Sequence, residues 1–136
     1  MRKRVAVLLV LAAACGGSMR KQSRSLERTA WVAQDVDGHG VVARVQSTIA
    51  FGGDGQANGN GGCNRYRTTA TLGKGTIALG PIAATRMACP PPIMEQEQRF
   101  LAALASVRRY EVDKGMLVLR DQDGAARVRL APLEKS

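Results

Sequence analysis

Apolar residues along this chain recur mostly at every second position, in short runs broken by glycine-containing turns, a pattern that predicts many short strands. Thr29-Ala30-Trp31-Val32-Ala33 opens the first of them, with Trp31, the single tryptophan, as its core anchor. Asp37-Gly38-His39-Gly40 turns the chain, and Val41 to Val45 and Thr48 to Phe51 are β-branched runs of strand length. The glycine-rich segment 52 to 62 follows, with room for one short strand at Gln56-Ala57-Asn58-Gly59 and otherwise the composition of a flexible loop. Tyr66 to Leu72 alternates and is dense in threonine, so one side of that strand faces solvent. Leu72-Gly73-Lys74-Gly75 predicts a hairpin turn returning through Thr76 to Leu79, and Ile82 to Met87 is a further extended piece running into Cys89.

The period changes from two to that of a helix only once. After Pro90-Pro91-Pro92, residues Ile93, Glu97, Phe100, Leu101 and Leu104 fall at three- and four-residue intervals and predict a helix over Ile93 to Ala105 with one mainly apolar face. Proline suits a first helical turn, and Glu95 and Glu97 suit the positive end of the helix. The strand pattern returns at Arg109 to Val112, Met116 to Arg120 and Ala126 to Ala131, with turns at Asp113-Lys114-Gly115 and Asp123-Gly124. Connections this short exclude parallel βαβ units. The expected fold is mainly β (α+β): a curled antiparallel sheet approaching a small barrel, which reduces exposed edges, with one helix packed on it.

The amino end belongs to none of this. Met1-Arg2-Lys3-Arg4 followed by the apolar run Val5 to Ala14 has the layout of a secretory signal peptide, too short for a mature membrane span. Leu11-Ala12-Ala13-Ala14-Cys15 resembles a bacterial lipobox, in which cleavage precedes the cysteine and its thiol is lipidated. The match departs from the commonest form, since Ala12 stands three residues before Cys15 and Leu11 lies one place too early. An ordinary signal peptide cut near Ala14, leaving a free thiol, is the other reading. The division is therefore 1–14 signal peptide, 15–28 lipid anchor and flexible basic tether, and 29–133 folded domain. In the tether, Arg20, Lys21, Arg24 and Arg28 would lie near anionic headgroups, each contributing up to about 1 kcal/mol of attraction.

Charge and cysteines sharpen the picture. Removing Arg2, Lys3 and Arg4 from 20 Lys+Arg leaves 17 against 11 Asp+Glu, a net +6 in place of +9. A basic chain raises nucleic acid as a partner, but export removes that partner, leaving anionic lipid, acidic wall polymers, or simply a solvated surface. With Cys15 given to lipid, Cys63 and Cys89 are an even pair in an oxidising compartment, most simply a disulfide. Closing that loop would constrain the unfolded chain by roughly 3 kcal/mol, a considerable share of stability for a domain with 4% aromatic residues.

The residues Phe51-Gly52-x-Asp54-Gly55, Gly62-Cys63-Asn64-Arg65-Tyr66, Thr85-x-Met87-Ala88-Cys89 and Glu95-x-Glu97-x-x-Phe100-Leu101-x-x-Leu104 follow in that order. Together they resemble the META domain, the family of HslJ-like bacterial heat-shock proteins, over roughly Thr29 to Leu133. The residues that carry the match are Gly62, Cys63, Asn64, Tyr66, Thr85, Met87 and Cys89. The resemblance implies a curled antiparallel sheet carrying one helix, an envelope setting, frequent lipid anchoring, links to stress tolerance, motility or virulence, and no established catalytic activity. The long glycine tract and the triple proline depart from the family pattern.

Candidate chemistry is sparse. His39, Cys63 and Cys89 are the only nitrogen and thiol ligands of the domain, with no zinc spacing among them. Asp54, Asn58 and Asn60 offer one acidic ligand for calcium, too few outside a tandem repeat. The glycine tract lacks Gly-Lys-Ser/Thr and is not a phosphate loop. Cys63 has no base but His39, and Glu95 and Glu97, two apart, do not face each other as a carboxylate pair; Asp54 and Glu111 complete the acids considered. Asn64 is expected to bond backbone where the loop rejoins the sheet, Tyr66 and Phe51 to be core, and Arg108-Arg109 to be a solvated corner.

The sequence thus predicts no enzyme, no cofactor and no metal, but a monomeric, non-catalytic binding or structural module of the envelope with an unidentified ligand or protein partner. Gly16, not Asp, after Cys15 points to the outer membrane, a soluble periplasmic product being the alternative. The alternative function is a small-ligand carrier or a hydrolase inhibitor built on the barrel, although inhibition of basic lysozymes calls for an acidic surface.

Overall fold

The computed structural model describes residues 25–133. Cys15, the signal segment and the tether up to residue 24 lie outside the described residues, so the lipid-anchor expectation is not addressed by the fold. Ten strands and one helix follow in order: β1 Ala30–Val36, β2 His39–Gly40, β3 Thr48–Phe51, β4 Gln56–Asn60, β5 Arg65–Leu72, β6 Ile77–Leu79, β7 Ala83–Ala84, α1 Pro91–Ser106, β8 Val107–Asp113, β9 Met116–Asp121 and β10 Ala126–Pro132. All pairings are antiparallel, in the spatial order β6-β5-β4-β3-β1-β10-β9-β8, with β2 added to β1 and β7 to β5. The two ends of this sheet meet through a bridge between Thr76 and Arg109, and Tyr110 N donates to Gly75 O at 3.1 Å. The result is a nearly closed, barrel-like sheet of eight strands.

Alternation delivers the interior. Along β5 the odd positions are exposed while Tyr66, Thr68 and Ala70 are buried. Trp31, Ile49, Phe51, Tyr110, Leu117, Leu119, Val128 and Leu130 point inward from the other strands. Two of the predicted turns are two-residue hairpins: Asp37-Gly38 and Lys114-Gly115 have positive φ at both positions, the geometry whose twist matches that of the flanking strands. The core also takes in Leu26, 1% exposed, which falls within the stretch assigned from sequence to the tether. Thr29 N and Oγ1 both bond Leu26 O, and Arg28 N donates to Phe51 O, so the folded unit includes this turn.

The helix begins at Pro91, two residues before its sequence-based start, because Pro91 and Pro92 occupy the first positions, where no N–H is required. No acidic residue then falls in its first turn, so Glu95 and Glu97 do not serve the helix dipole as expected. Its inward stripe is Gln96, Glu97, Phe100, Ala103 and Leu104, and Phe100 meets Tyr66 edge-to-face with centroids 6.2 Å apart.

Val41 to Val45 is not a strand. β2 and β3 share one side of β1, pairing with Asp35–Val36 and Ala30–Val32 respectively, and residues 41–47 loop out between them. Their backbone finds other partners: Val42 N donates to Gln96 Oε1 at 2.6 Å, Val45 O accepts from Gln96 Nε2 at 3.3 Å, and Arg44 has φ 65°. The glycine tract carries the short strand expected at Gln56 to Gly59: β4 runs through it and extends to Asn60. A Cβ on Gly59 would sit on the carbonyl of Thr48, 2.7 Å from its carbon, and that carbonyl already accepts Tyr66 OH at 2.6 Å. Gly59→Ala is therefore expected to destabilise the fold by about 2 kcal/mol through forced backbone displacement. Gly40→Ala, where nothing lies within 4 Å, should stay within about 0.5 kcal/mol. Urea unfolding of the two variants checks the contrast.

Candidate functional site

The two motif stretches meet at one junction where the start of β5, the chain after β7 and the inner face of α1 converge. Cys63 and Cys89 form a disulfide with S–S 2.03 Å and Cα–Cα 6.0 Å. Beside it, the Asn64 side chain acts as a bracket. Its Oδ1 accepts Met87 N at 2.7 Å and Thr85 Oγ1 at 2.9 Å, while Nδ2 donates to Met87 O at 3.2 Å and to Glu97 Oε2 at 2.8 Å. Asn64 thus bonds backbone as expected, but that of a distant segment rather than of its own loop. Cys63 Sγ lies 3.6 Å from Met87 O; a disulfide sulfur carries no proton, so this is contact and not a hydrogen bond.

Glu97 closes the arrangement from the helix. Its Oε1 accepts both Cys63 N at 3.1 Å and Asn64 N at 2.5 Å, and the residue is only 5% exposed. Such close approach needs a bare backbone opposite: a Cβ on Gly61 would lie 2.8 Å from Glu97 Cγ and Oε1. The preceding Gln96 fixes the neighbouring loop through Val42, Val45 and Ser47, and Ser47 Oγ donates to Gly61 O at 2.7 Å. Consecutive helix residues thus fasten two loops, so the helix is seated by polar side chains as much as by Phe100 and Leu104.

The META domain family model matches residues 24–133. The chain belongs to the META domain family. This META domain is similar to an NMR structure of a protein from Burkholderia xenovorans, with TM-score 0.67 and 26% identity over 81% of this chain and 85% of the other. A second NMR structure matches with TM-score 0.61 and 21% identity over 77% of this chain and 89% of that one. A crystal structure of a duf4847 family protein from Bacteroides vulgatus has TM-score 0.51 and 18% identity over 65% and 60% of the two chains. The last two show likeness of fold alone. No functionally curated protein matches the chain.

In this META domain the other candidate residues do not converge. Asp54 Oδ1 accepts Gln56 N at 3.1 Å within its own turn, and Asn60 Oδ1 accepts Gly62 N at 2.8 Å. His39 is exposed on β2, and Glu111 is held by Arg120 at 2.7 and 3.0 Å. Among the described residues no three His, Cys, Asp or Glu are grouped to hold a metal. Tyr66 is core, as expected, 3% exposed; burial pushes its phenol well above the ordinary tyrosine value, so it remains a donor to Thr48 O. Phe51 is likewise buried. Arg108 is not simply solvated, since its Nη1 donates to Ala105 O and Val107 O and satisfies carbonyls where the helix ends.

Gln96 and Glu97 are the functional residues that residue type alone concealed. The available signal was Glu97 itself, a charged residue on the apolar stripe with Phe100 and Leu104. Chemically, the junction is a brace. Each polar atom named is spent on another part of the chain, and no buried side-chain nitrogen or oxygen among the described residues lacks a partner.

Proposed function

We propose that this META domain is a non-catalytic structural or binding module of the bacterial envelope, exported, anchored through lipid on Cys15, and contributing to stress tolerance. The observation that carries the reading is the junction at Cys63–Cys89. Its titratable and polar groups are consumed in holding β5, the segment after β7 and α1 together, leaving none poised as nucleophile or general acid. A disulfide suits an oxidising compartment outside the cytoplasm, and membership of the META family supports the envelope setting. Gly16 after Cys15 favours the outer membrane.

The test is mass spectrometry of membrane fractions with and without globomycin. The expected product is a lipid-modified chain beginning at Cys15, accumulating as an uncleaved precursor under the drug, with Cys15→Ala lost from the membrane. An unmodified soluble product from the unaltered sequence overturns the anchor. A second reading, a carrier of a small apolar ligand, draws on a cleft of about 310 Å³ lined by Leu26, Ala30, Trp31, Val112 and Pro132. The filled interior, with Leu117, Leu119, Val128 and Leu130 all fully buried, favours the first.

A further inference from the structure

Charge in this chain is segregated. From Asp54 to Glu95 there is no acidic residue between them, while Arg65, Arg67, Lys74 and Arg86 all fall in that span. The span covers β4 to β7, one continuous patch of the sheet. Arg65 and Arg67 are two apart on β5 and both exposed, so their side chains leave the same outer face. Asn60 and Asn58 stand opposite them on β4, and Ala83 opposite Arg67 on β7. Among the described residues neither guanidinium has a hydrogen bond or ion pair, whereas Arg120 and Arg127 elsewhere on the sheet are both paired with carboxylates. Over the paired β5 and β7 lies an open cleft of about 350 Å³, lined by Arg65, Tyr66, Arg67, Ala83, Ala84 and Thr85. The alanines are small, so the cleft beside the two arginines stays open.

We propose that this cleft binds a phosphate group, clamped by Arg65 and Arg67. Two like charges on one strand face repel, and an anion between them removes the repulsion. Guanidinium forks suit phosphate because each can bond two of its oxygens, and a phosphate offers two forks more oxygens and more negative charge than a carboxylate does. The far wall is held by the motif itself: Thr85 N donates to Arg65 O at 3.1 Å, and Asn64 fixes Thr85 and Met87. The brace thus acquires a purpose, setting β7 at a fixed distance from the arginines. The phosphate can belong to a soluble ester or to an anionic lipid headgroup, and the site does not depend on lipidation of Cys15.

The experiment uses the purified full chain and three variants: Arg65→Gln/Arg67→Gln, Ala83→Leu, which fills the cleft without changing charge, and Arg109→Gln/Arg129→Gln, which removes equal charge from the exposed positions of β8 and β10. Unchanged thermal midpoints establish that the exposed substitutions leave the fold intact. The probes are sn-glycerol 3-phosphate, followed by amide shifts, and vesicles containing phosphatidylglycerol, followed by sedimentation. Saturable shifts at residues 65–67 and 83–87, weakened roughly ten-fold or more in the first two variants and unchanged in the third, establish the site for a soluble ester. Vesicle binding with that same dependence, without response to the ester, establishes it for a lipid headgroup. If Ala83→Leu has no effect on either probe, or both double variants weaken vesicle binding equally, the attraction is net charge alone and the proposal falls.

Discussion

Glu97→Ala is expected to lower the unfolding free energy by about 3–5 kcal/mol, as much as truncating a buried core aromatic. The residue accepts Cys63 N, Asn64 N and Asn64 Nδ2, and at 5% exposure it leaves little room for water to replace it. Each orphaned buried donor costs about 1–3 kcal/mol, discounted here because the three share one site. Against a typical domain stability of roughly 5–15 kcal/mol, the variant is left marginal, with a thermal midpoint lowered on the order of 10–20 °C. Glu97→Gln separates shape from bonding. Its Oε1 can still take both backbone N–H groups, but its amide nitrogen then faces Asn64 Nδ2, donor against donor. Rotating Asn64 to relieve that would break its bonds to Met87 N and Thr85 Oγ1. The expected loss is about 1–3 kcal/mol, with faster hydrogen exchange at the Cys63 and Asn64 amides. Glu95→Ala, on the exposed side of the helix, should stay within about 0.5 kcal/mol. If Glu97→Ala unfolds at the same urea concentration as Glu95→Ala, the carboxylate does not hold the junction.

The strand pattern was legible wherever alternation met a partner strand. Arg65–Leu72, Met116–Asp121 and Ala126–Pro132 match their predicted runs to within a residue or two, because one face of each is buried and period two follows directly. Val41 to Val45 had the composition of a strand and lacked the partner, since both sides of β1 are already occupied by β10, β2 and β3. Composition registers β propensity and says nothing about which edge is free. In the glycine tract the short strand was legible too, but the reason for its glycines was not. Glycine usually marks flexibility, but Gly59 is present because the Thr48 backbone lies against it and Gly61 because Glu97 does, and close approach leaves no trace in local sequence.

The site divides along the same line. Pairing of Cys63 with Cys89 followed from parity and compartment, and the burial of Tyr66 from its alternation. The roles of Gln96 and Glu97 depend on which way a helix face is turned against loops 54 and 33 residues earlier, and only the assembled fold supplies that. The charge segregation between Asp54 and Glu95 was present in the sequence throughout. It became informative once β4 to β7 proved to be one surface, with Arg65 and Arg67 on its outer side.

Reducing the disulfide, or replacing it in Cys63→Ala/Cys89→Ala, is expected to cost about 3.5 kcal/mol in the chain-entropy description of its loop. That loop, with a separation of 26 residues, contains β5, β6 and β7 and therefore every residue of the arginine cleft. Opening it frees the unfolded chain while leaving the Asn64 bracket as the remaining tie to Met87. Two consequences distinguish this from ordinary loss of packing. The urea dependence should steepen, because the uncrosslinked unfolded state exposes more surface. The disulfide and Glu97 also hold the same junction, Cys63 N itself donating to Glu97. Removing both should therefore depart from the sum of the separate losses by 0.5 kcal/mol or more, the size of coupling usual for residues in contact. Urea unfolding with and without reductant, on wild type and Glu97→Gln, measures all three quantities. Coincident transitions for oxidised and reduced chains would mean that hydrogen bonds alone hold the junction. Two free thiols at Cys63 and Cys89 in protein taken from its native compartment would remove the cross-link from the account altogether.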